Sequence, residues 1–214
     1  EMIVAVKEGG SGDPNNNSRL AAVITKAKAA NMPNDNIKRT IDKALGAGNT
    51  DNYEKIVYEG YGPSGVAVIV ETMTDNRNRT AGEIRHYFDK YGGNMGAANC
   101  VSWSFDKKGV IVIDNEDEEL DEDDVMMEVL DAGADDFEPD GETFVVYTAP
   151  DDVSPVAEKI SAAGYKLLSA QVEMLPQNGY IKLTNEDDIK NMQKMLDMFE
   201  DNDDVQNVWH NWEE

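Results

Sequence analysis

The chain has 214 residues, 40% of them hydrophobic, with 19 Lys and Arg against 43 Asp and Glu and a formal net charge of −24. That length supplies one large or two to three small domains with real cores. No run approaches the roughly 20 consecutive apolar residues of a membrane helix. One cysteine and two histidines exclude an internal disulfide and a Cys/His zinc site, so the cytoplasm is the expected compartment.

Charge is unevenly spread. Residues 1–50 carry seven Lys/Arg and five Asp/Glu, residues 51–108 seven and eight, and residues 109–214 five and thirty. A polyanion is repelled by the last stretch, so any nucleic-acid face is expected near the front, where screening lets a basic patch act locally. The chain begins at Glu1 without a methionine, and a further N-terminal segment is expected to precede it.

Residues 1–50 read as a helical domain. The apolar run Met2 to Val6 fits helix or strand equally, and Gly9 to Asn17 is a loop. Leu20, Val23, Ile24 and Ala27 recur at helical spacing and leave Arg19, Lys26 and Lys28 largely off the apolar stripe. Pro33 breaks this helix and Asn34 can cap the next, in which Ile37, Ile41 and Leu45 form the stripe. Lys38, Arg39 and Lys43 lie outside it, and Gly46 is a stop signal.

Tyr53 to Glu59 and Val66 to Met73 read as a hairpin around Gly60, Gly62, Pro63, Ser64 and Gly65. A helix from about Asn78 to Tyr91 places Ala81, Ile84, Phe88 and Tyr91 on one face and Glu83, Arg85, His86 and Lys90 toward water. Strands are expected at Val101 to Phe105 and Gly109 to Asp114. An acidic helix then packs through Val125, Met126, Val129 and Leu130. Thr143 to Thr148, a helix near Val153 to Ala163, and Lys166 to Met174 follow. With Asp136 to Glu138 as a short strand, residues 109–175 have the β-α-β-β-α-β order of a ferredoxin-like fold. Tyr180 to Leu183, the helix Glu186 to Phe199 and the strand Val205 to Trp209 complete the sheet begun at residue 53. The expected fold is α+β: a helical domain (1–50), a discontinuous middle domain (51–108 with 178–214), and an acidic ferredoxin-like domain (109–177) inserted into it.

The run Thr74 to Thr80 has two readings of equal weight. Arg77 and Arg79 near a helix N-terminus could meet a phosphate, or Thr74, Asp75 or Asn76 could cap the helix and leave the arginines solvated. The stretch Gly92, Gly93, Asn94, Met95, Gly96 lacks the pattern of a phosphate-gripping loop. It reads as a mobile reading loop, since glycines permit close backbone approach and methionine adapts its shape, or as a helix C-cap and turn. The acidic clusters Asp114 to Asp124 and Glu200 to Asp204 are read as solvated helix ends rather than metal sites. Cys100 is read as a buried thiol. His86 and His210 have no visible triad partner, and Trp209 and Trp212 read as strand-end packing ahead of base stacking. No catalytic residue, metal or cofactor is assigned.

The segments NSRLAAVITKAKAANMPNDNIKRTI (17–41), YEGYGPSGVAVIVETMTDNRNRTAGEIRHYF (58–88), GGNMGAANCVSWSF (92–105) and the ending DVQNVWHNWEE resemble the YebC/PmpR family, which includes the mitochondrial translational activator of cytochrome oxidase. The resemblance runs along the whole chain. It implies a helical N-terminal domain and two α+β domains, the last inserted into the second. It also implies a non-enzymatic role in gene expression, as a DNA-binding transcriptional regulator or as a ribosome-associated factor that relieves stalling. The family's basic N-terminal GHSKW-like motif is absent, Ala98-Asn99 stands where a small residue and glycine are commoner, and Trp209 replaces the usual tyrosine. Asn best tolerates a left-handed backbone among non-glycine residues, so the loop shape is expected to survive.

The leading expectation is therefore a DNA- or RNA-binding regulator, with ribosomal RNA favoured by the charge pattern and no membrane partner. Its contacts would be Lys7, Arg19, Lys26, Lys28, Lys38, Arg39, Arg77 and Arg79, with Gly92 to Gly96 as an insertion element. The alternatives are a small-molecule sensor, on fold analogy alone, and an enzyme using its carboxylates.

Overall fold

The computed structural model describes residues 1–45, 53–116 and 120–213. The stop signal at Gly46 and part of the acidic cluster after Asp114 lie outside those residues. The elements in chain order are α1 (Met2–Gly9), α2 (Ser18–Ala29), α3 (Asn34–Leu45), β1 (Glu54–Tyr61), β2 (Ala67–Thr74), α4 (Arg77–Lys90), β3 (Asn94–Met95), β4 (Phe105–Asp114), α5 (Glu122–Ala132), β5 (Asp136–Asp140), β6 (Thr143–Thr148), α6 (Val153–Ala162), β7 (Leu167–Pro176), β8 (Ile181–Lys182), α7 (Glu186–Glu200), β9 (Val205–His210) and β10 (Trp212–Glu213). The architecture is α+β, an N-terminal helical region followed by sheets. The described residues form two compact units. The first is Glu1–Cys100 with Leu183–Val208; the second is Val101–Lys182 with Trp209–Glu214.

In the first unit, α1 resolves the ambiguity of Met2 to Val6 in favour of helix. Met2, Ala5 and Val6 are buried and pack with Leu20, Ala27 and Ile37, positions on the predicted stripes of α2 and α3. Asn17 fastens the helices together. Its Oδ1 accepts from the Leu20 N–H at 3.0 Å, capping α2, while its Nδ2 donates to the carbonyls of Ala5 (2.8 Å) and Ser11 (2.9 Å). A Cβ on Gly9 would lie 2.3 Å from that Nδ2, so the buried clip needs glycine at this position.

The sheet of this unit has the order β3-β1-β2-β9. The predicted hairpin is present, with β1 and β2 antiparallel from Glu54 opposite Thr74 to Tyr61 opposite Ala67. Between them, Ser64 adopts φ 54° and Gly65 φ 82°. Helices α4 and α7 meet over one face through Phe88 and Phe199, whose ring centroids are 5.3 Å apart. Strand β2 is buried over almost its whole length, as befits the inside of a sheet with partners on both sides.

The second unit carries the order β5-β6-β4-β7 with antiparallel pairing throughout. Its chain order β4-α5-β5-β6-α6-β7 is the ferredoxin-like plan. Ile111, Ile113, Phe144 and Val146 face Val125 and Val129 of α5 and Val153, Val156 and Ile160 of α6 in one core. Three expected details change. Tyr180 to Leu183 does not complete the sheet begun at residue 53: Ile181–Lys182 pairs in parallel with Trp212–Glu213 in a two-stranded sheet of its own, and only Val205–His210 joins the first unit's sheet. Val101 to Phe105 is not a strand: a 3-10 turn occupies Ser102–Ser104, and β4 begins at Phe105 and runs unbroken through Gly109. A Cβ on Gly109 would sit 2.2 Å from Thr148 Oγ1 and 2.9 Å from Val153 Cβ. That glycine thus serves close packing under α6 and begins nothing. The acidic helix also buries only Val125 and Val129 of its four expected core residues; Met126 and Leu130 are exposed.

Candidate nucleic-acid interface

The expected cations of the helical region are all at the surface. Lys7, Arg19, Lys26, Lys28, Lys38 and Arg39 are exposed, because the 3.6-residue period that turns Leu20, Ala27 and Ile37 inward turns them outward. They do not form one stripe. Arg19 and Lys26 are seven residues, two turns, apart on one flank of α2, whereas Lys28 follows Lys26 by two residues and falls on the opposite flank. Lys26 Nζ lies 3.1 Å from Glu1 Oε1. Lys26 and Lys28 both occupy the last turn of α2, where positive charge also suits the helix dipole.

The Thr74 to Thr80 run is a helix cap built as a polar cluster. Asn76 is the N-cap of α4 and its Oδ1 accepts from the Arg79 N–H at 3.1 Å, while Thr74 Oγ1 accepts from the Asn76 N–H at 2.9 Å. The Arg79 guanidinium is committed. It donates to both oxygens of Asp204, at 2.8 and 3.1 Å, and to Asp75 at 3.2 Å. Thr80 donates to the same Asp204 carboxylate at 2.6 Å. Burial alone would raise the Asp204 carboxyl, but hydrogen bonds from Arg79, Thr80 and Thr74 outweigh it and hold the group below its ordinary range. The hydrogen bond to Asp204 likewise keeps Arg79 firmly charged. Arg79 therefore joins α4 to the start of β9, a tie that pairs residues 125 apart and that local sequence does not reveal. Arg77 is the more available of the two: its side chain is exposed and its ion pair with Glu54 is a loose one at 3.9 Å.

The Gly92 to Gly96 stretch is shaped by packing. Gly92 has φ 79° just past the end of α4, and the Gly93 N–H donates to Phe88 O at 2.8 Å, as a helix C-cap does. Asn94 and Met95 then form β3, an edge strand on Tyr61 and Gly60 of β1, so this part of the expected loop is tied to the sheet. A Cβ on Gly93 would approach Tyr61 O to 2.5 Å, and one on Gly96 would approach Cys100 Sγ to 2.5 Å. The alternation of apolar residues that signals a strand is missing from a two-residue element, which is why sequence reads it as a loop.

Beside it, Asn99 adopts φ 64°, the left-handed conformation expected of an asparagine in a glycine position. Its N–H donates to Glu59 Oε1 at 3.0 Å, and Glu59 is buried. Cys100 is partly buried. Its thiol is pushed up by burial and then by the Glu59 charge, which keeps it protonated and a poor nucleophile. His86 is exposed as expected. In the second unit the Trp209 indole donates to Glu173 and Trp212 is buried, as strand-end packing requires. One aromatic was overlooked: Trp103, placed in a strand by its apolar neighbours, sits on the 3-10 turn with 67% of its surface exposed.

This arrangement matches known proteins along its whole length. The model of the TACO1/YebC protein N-terminal domain matches residues 1–47, and that of the TACO1/YebC second and third domain matches residues 53–212. The chain belongs to the TACO1/YebC family. A relative from Acetivibrio thermocellus, named a probable transcriptional regulatory protein, is 57% identical over 212 residues, covering 99% of this chain and 86% of its own. A Clostridium perfringens relative of the same name is 57% identical over 213 residues, covering 100% of this chain and 85% of its own. The crystal structure of a conserved hypothetical protein from Aquifex aeolicus superimposes with a TM-score of 0.86 at 39% identity, over 100% of this chain and 86% of that one. No helix among the described residues is long and apolar enough to cross a membrane.

Proposed function

We propose that this chain is a non-enzymatic regulator of gene expression that binds nucleic acid through its helical region, in the cytoplasm, with ribosomal RNA favoured over duplex DNA. The observation that carries this reading is the contrast in charge. Exposed cations are spread over residues 1–45, whereas the second compact unit holds 23 Asp and Glu against five Lys. Affinity for bare duplex depends on neutralising phosphates, and a unit of that composition opposes it. A structured RNA that meets the cationic region alone avoids the repulsion. The regulatory names carried by the relatives support the broader statement.

In this reading Arg19, Lys26, Lys28, Lys38 and Arg39 make the phosphate contacts, with Lys7 and Arg77 beside them. Arg79 holds its segment in shape, and the Gly92 to Gly96 turn and edge strand present the adjoining backbone. The chain acts as three domains: residues 1–50, residues 51–108 with 178–214, and residues 109–177 as an insertion.

The test is binding of the full-length protein, at matched salt, to ribosomal RNA and to duplex DNA of mixed sequence. Lys38→Glu with Arg39→Glu is expected to weaken RNA binding about tenfold or more and to lower the salt slope by about two. A sequence-specific duplex complex at physiological salt, stronger than the RNA complex, would overturn the ribosomal reading. Binding unchanged by the double substitution would overturn the assigned face.

A further inference from the structure

Helix α5 is the place where the acidic unit departs from an ordinary solvated surface. Asp121 caps it, accepting from the N–H groups of Asp123 (3.1 Å) and Asp124 (3.2 Å), and Gly133 ends it at φ 112°. Val125 and Val129 are fully buried against the sheet and α6. Its outward side is not purely polar. Met126, Met127 and Leu130 are 36%, 59% and 44% exposed, and at helical spacing they are neighbours on one stripe. Asp123 continues the stripe one turn toward the N-terminus, and Asp124 and Asp131 flank it, all exposed.

No Lys or Arg lies on this helix. The cation nearest its end, Lys159, donates to the Ala132 carbonyl at 2.7 Å. Glu128 is hydrogen-bonded by Tyr165, whose hydroxyl is pushed up to about 12, by burial first and then by that bond.

Three exposed apolar side chains on one short helix, two of them methionines, form a surface suited to repacking against a partner. The rim decides which partner. A second copy would bring the same carboxylates face to face across a symmetric contact, which costs like-charge repulsion. Nucleic acid and anionic lipid are repelled in the same way. A cationic amphipathic helix satisfies both parts, its apolar face on the methionines and its Lys or Arg on the carboxylates.

We infer that the outer stripe of α5, Met126, Met127 and Leu130 within their acidic rim, is a docking surface for a basic amphipathic helical segment of a protein partner. The surface is separate from the nucleic-acid reading and stands without it.

The experiment measures fluorescence anisotropy of a labelled synthetic amphipathic helix of leucine and lysine on titration with the full chain. Met127→Gln with Leu130→Gln, exposed positions that keep helix propensity, is expected to weaken binding about tenfold or more. Replacing Asp123, Asp124 and Asp131 by Asn is expected to weaken it and flatten its salt dependence. A peptide of the same composition, scrambled to lose its apolar face, is expected to bind much more weakly. Equal affinity for the scrambled peptide, or no effect of the Gln pair, would overturn the inference. So would sedimentation showing a homodimer that the Gln pair dissolves, which would assign the stripe to self-association.

Discussion

The helical region and the ferredoxin-like unit solve the same packing problem with opposite surfaces. Each buries a continuous apolar core, Met2, Ala5, Val6, Leu20, Ala27 and Ile37 in the first and ten residues from Ile111 to Ile160 in the second. One carries exposed cations around that core, and the other is strongly acidic. The core makes the fold in both cases, and surface charge is free to be set by what each region meets. The two also differ in reserve. A three-helix region with so small a core has little to lose, whereas the sheet unit has strand pairing to add.

The largest expected effect tests that difference in reserve. Leu20→Ala removes a fully buried side chain, which costs about 3–5 kcal/mol at such sites. Circular dichroism during urea unfolding should show helix lost in an early step while the strands persist. A single transition shifted as a whole would mean that the helical region draws on the stability of the rest.

Asn17→Ala comes next. It removes an N-cap and the bonds from Nδ2 to the Ala5 and Ser11 carbonyls, a combined cost of about 2 kcal/mol. Thermal unfolding checks it; a drop below about 0.5 kcal/mol would show that Asn17 is no clip.

The smallest effect concerns carboxylates. In the first unit Asp204, with a side chain 13% exposed, organises Arg79 and Thr80. In the second, Asp114 is buried to the same degree, but its partner Lys166 is 67% exposed, against 45% for Arg79. Because the folded state holds Asp204 below its ordinary value of 3.8, its contribution is fully present above about pH 4. It is lost as pH falls through the folded value. Asp204→Asn should cost about 1 kcal/mol at pH 7 and remove that acid-limb dependence. Asp114→Asn should do less, since its partner is solvated. Equal effects from the two substitutions would erase the distinction.

Much of the fold was legible in the sequence because its signals are local. Helical spacing located α2, α3 and α4, the Gly60 to Gly65 turn announced its hairpin, and asparagine at position 99 forecast a positive φ. The candidate site was less legible. Sequence located the cations of α2 and α3, but their division between flanks follows from where the apolar stripe is buried. It offered Arg77 and Arg79 as equals, and only the return of β9 with Asp204 made one of them structural. Trp103 was hidden by its strand-like neighbours, and β3 was too short to show a period.

By itself, then, the sequence determined the α+β class, the helical front, the charge contrast and most element positions, since these depend on spacing, capping and composition. The tertiary structure decided which polar groups meet across long separations and which apolar residues stay outside. Gly109 became a packing residue, Arg79 a tie, and Met126 and Leu130 part of a surface. Each outcome depends on what a distant segment places opposite the residue, and no local pattern carries that information.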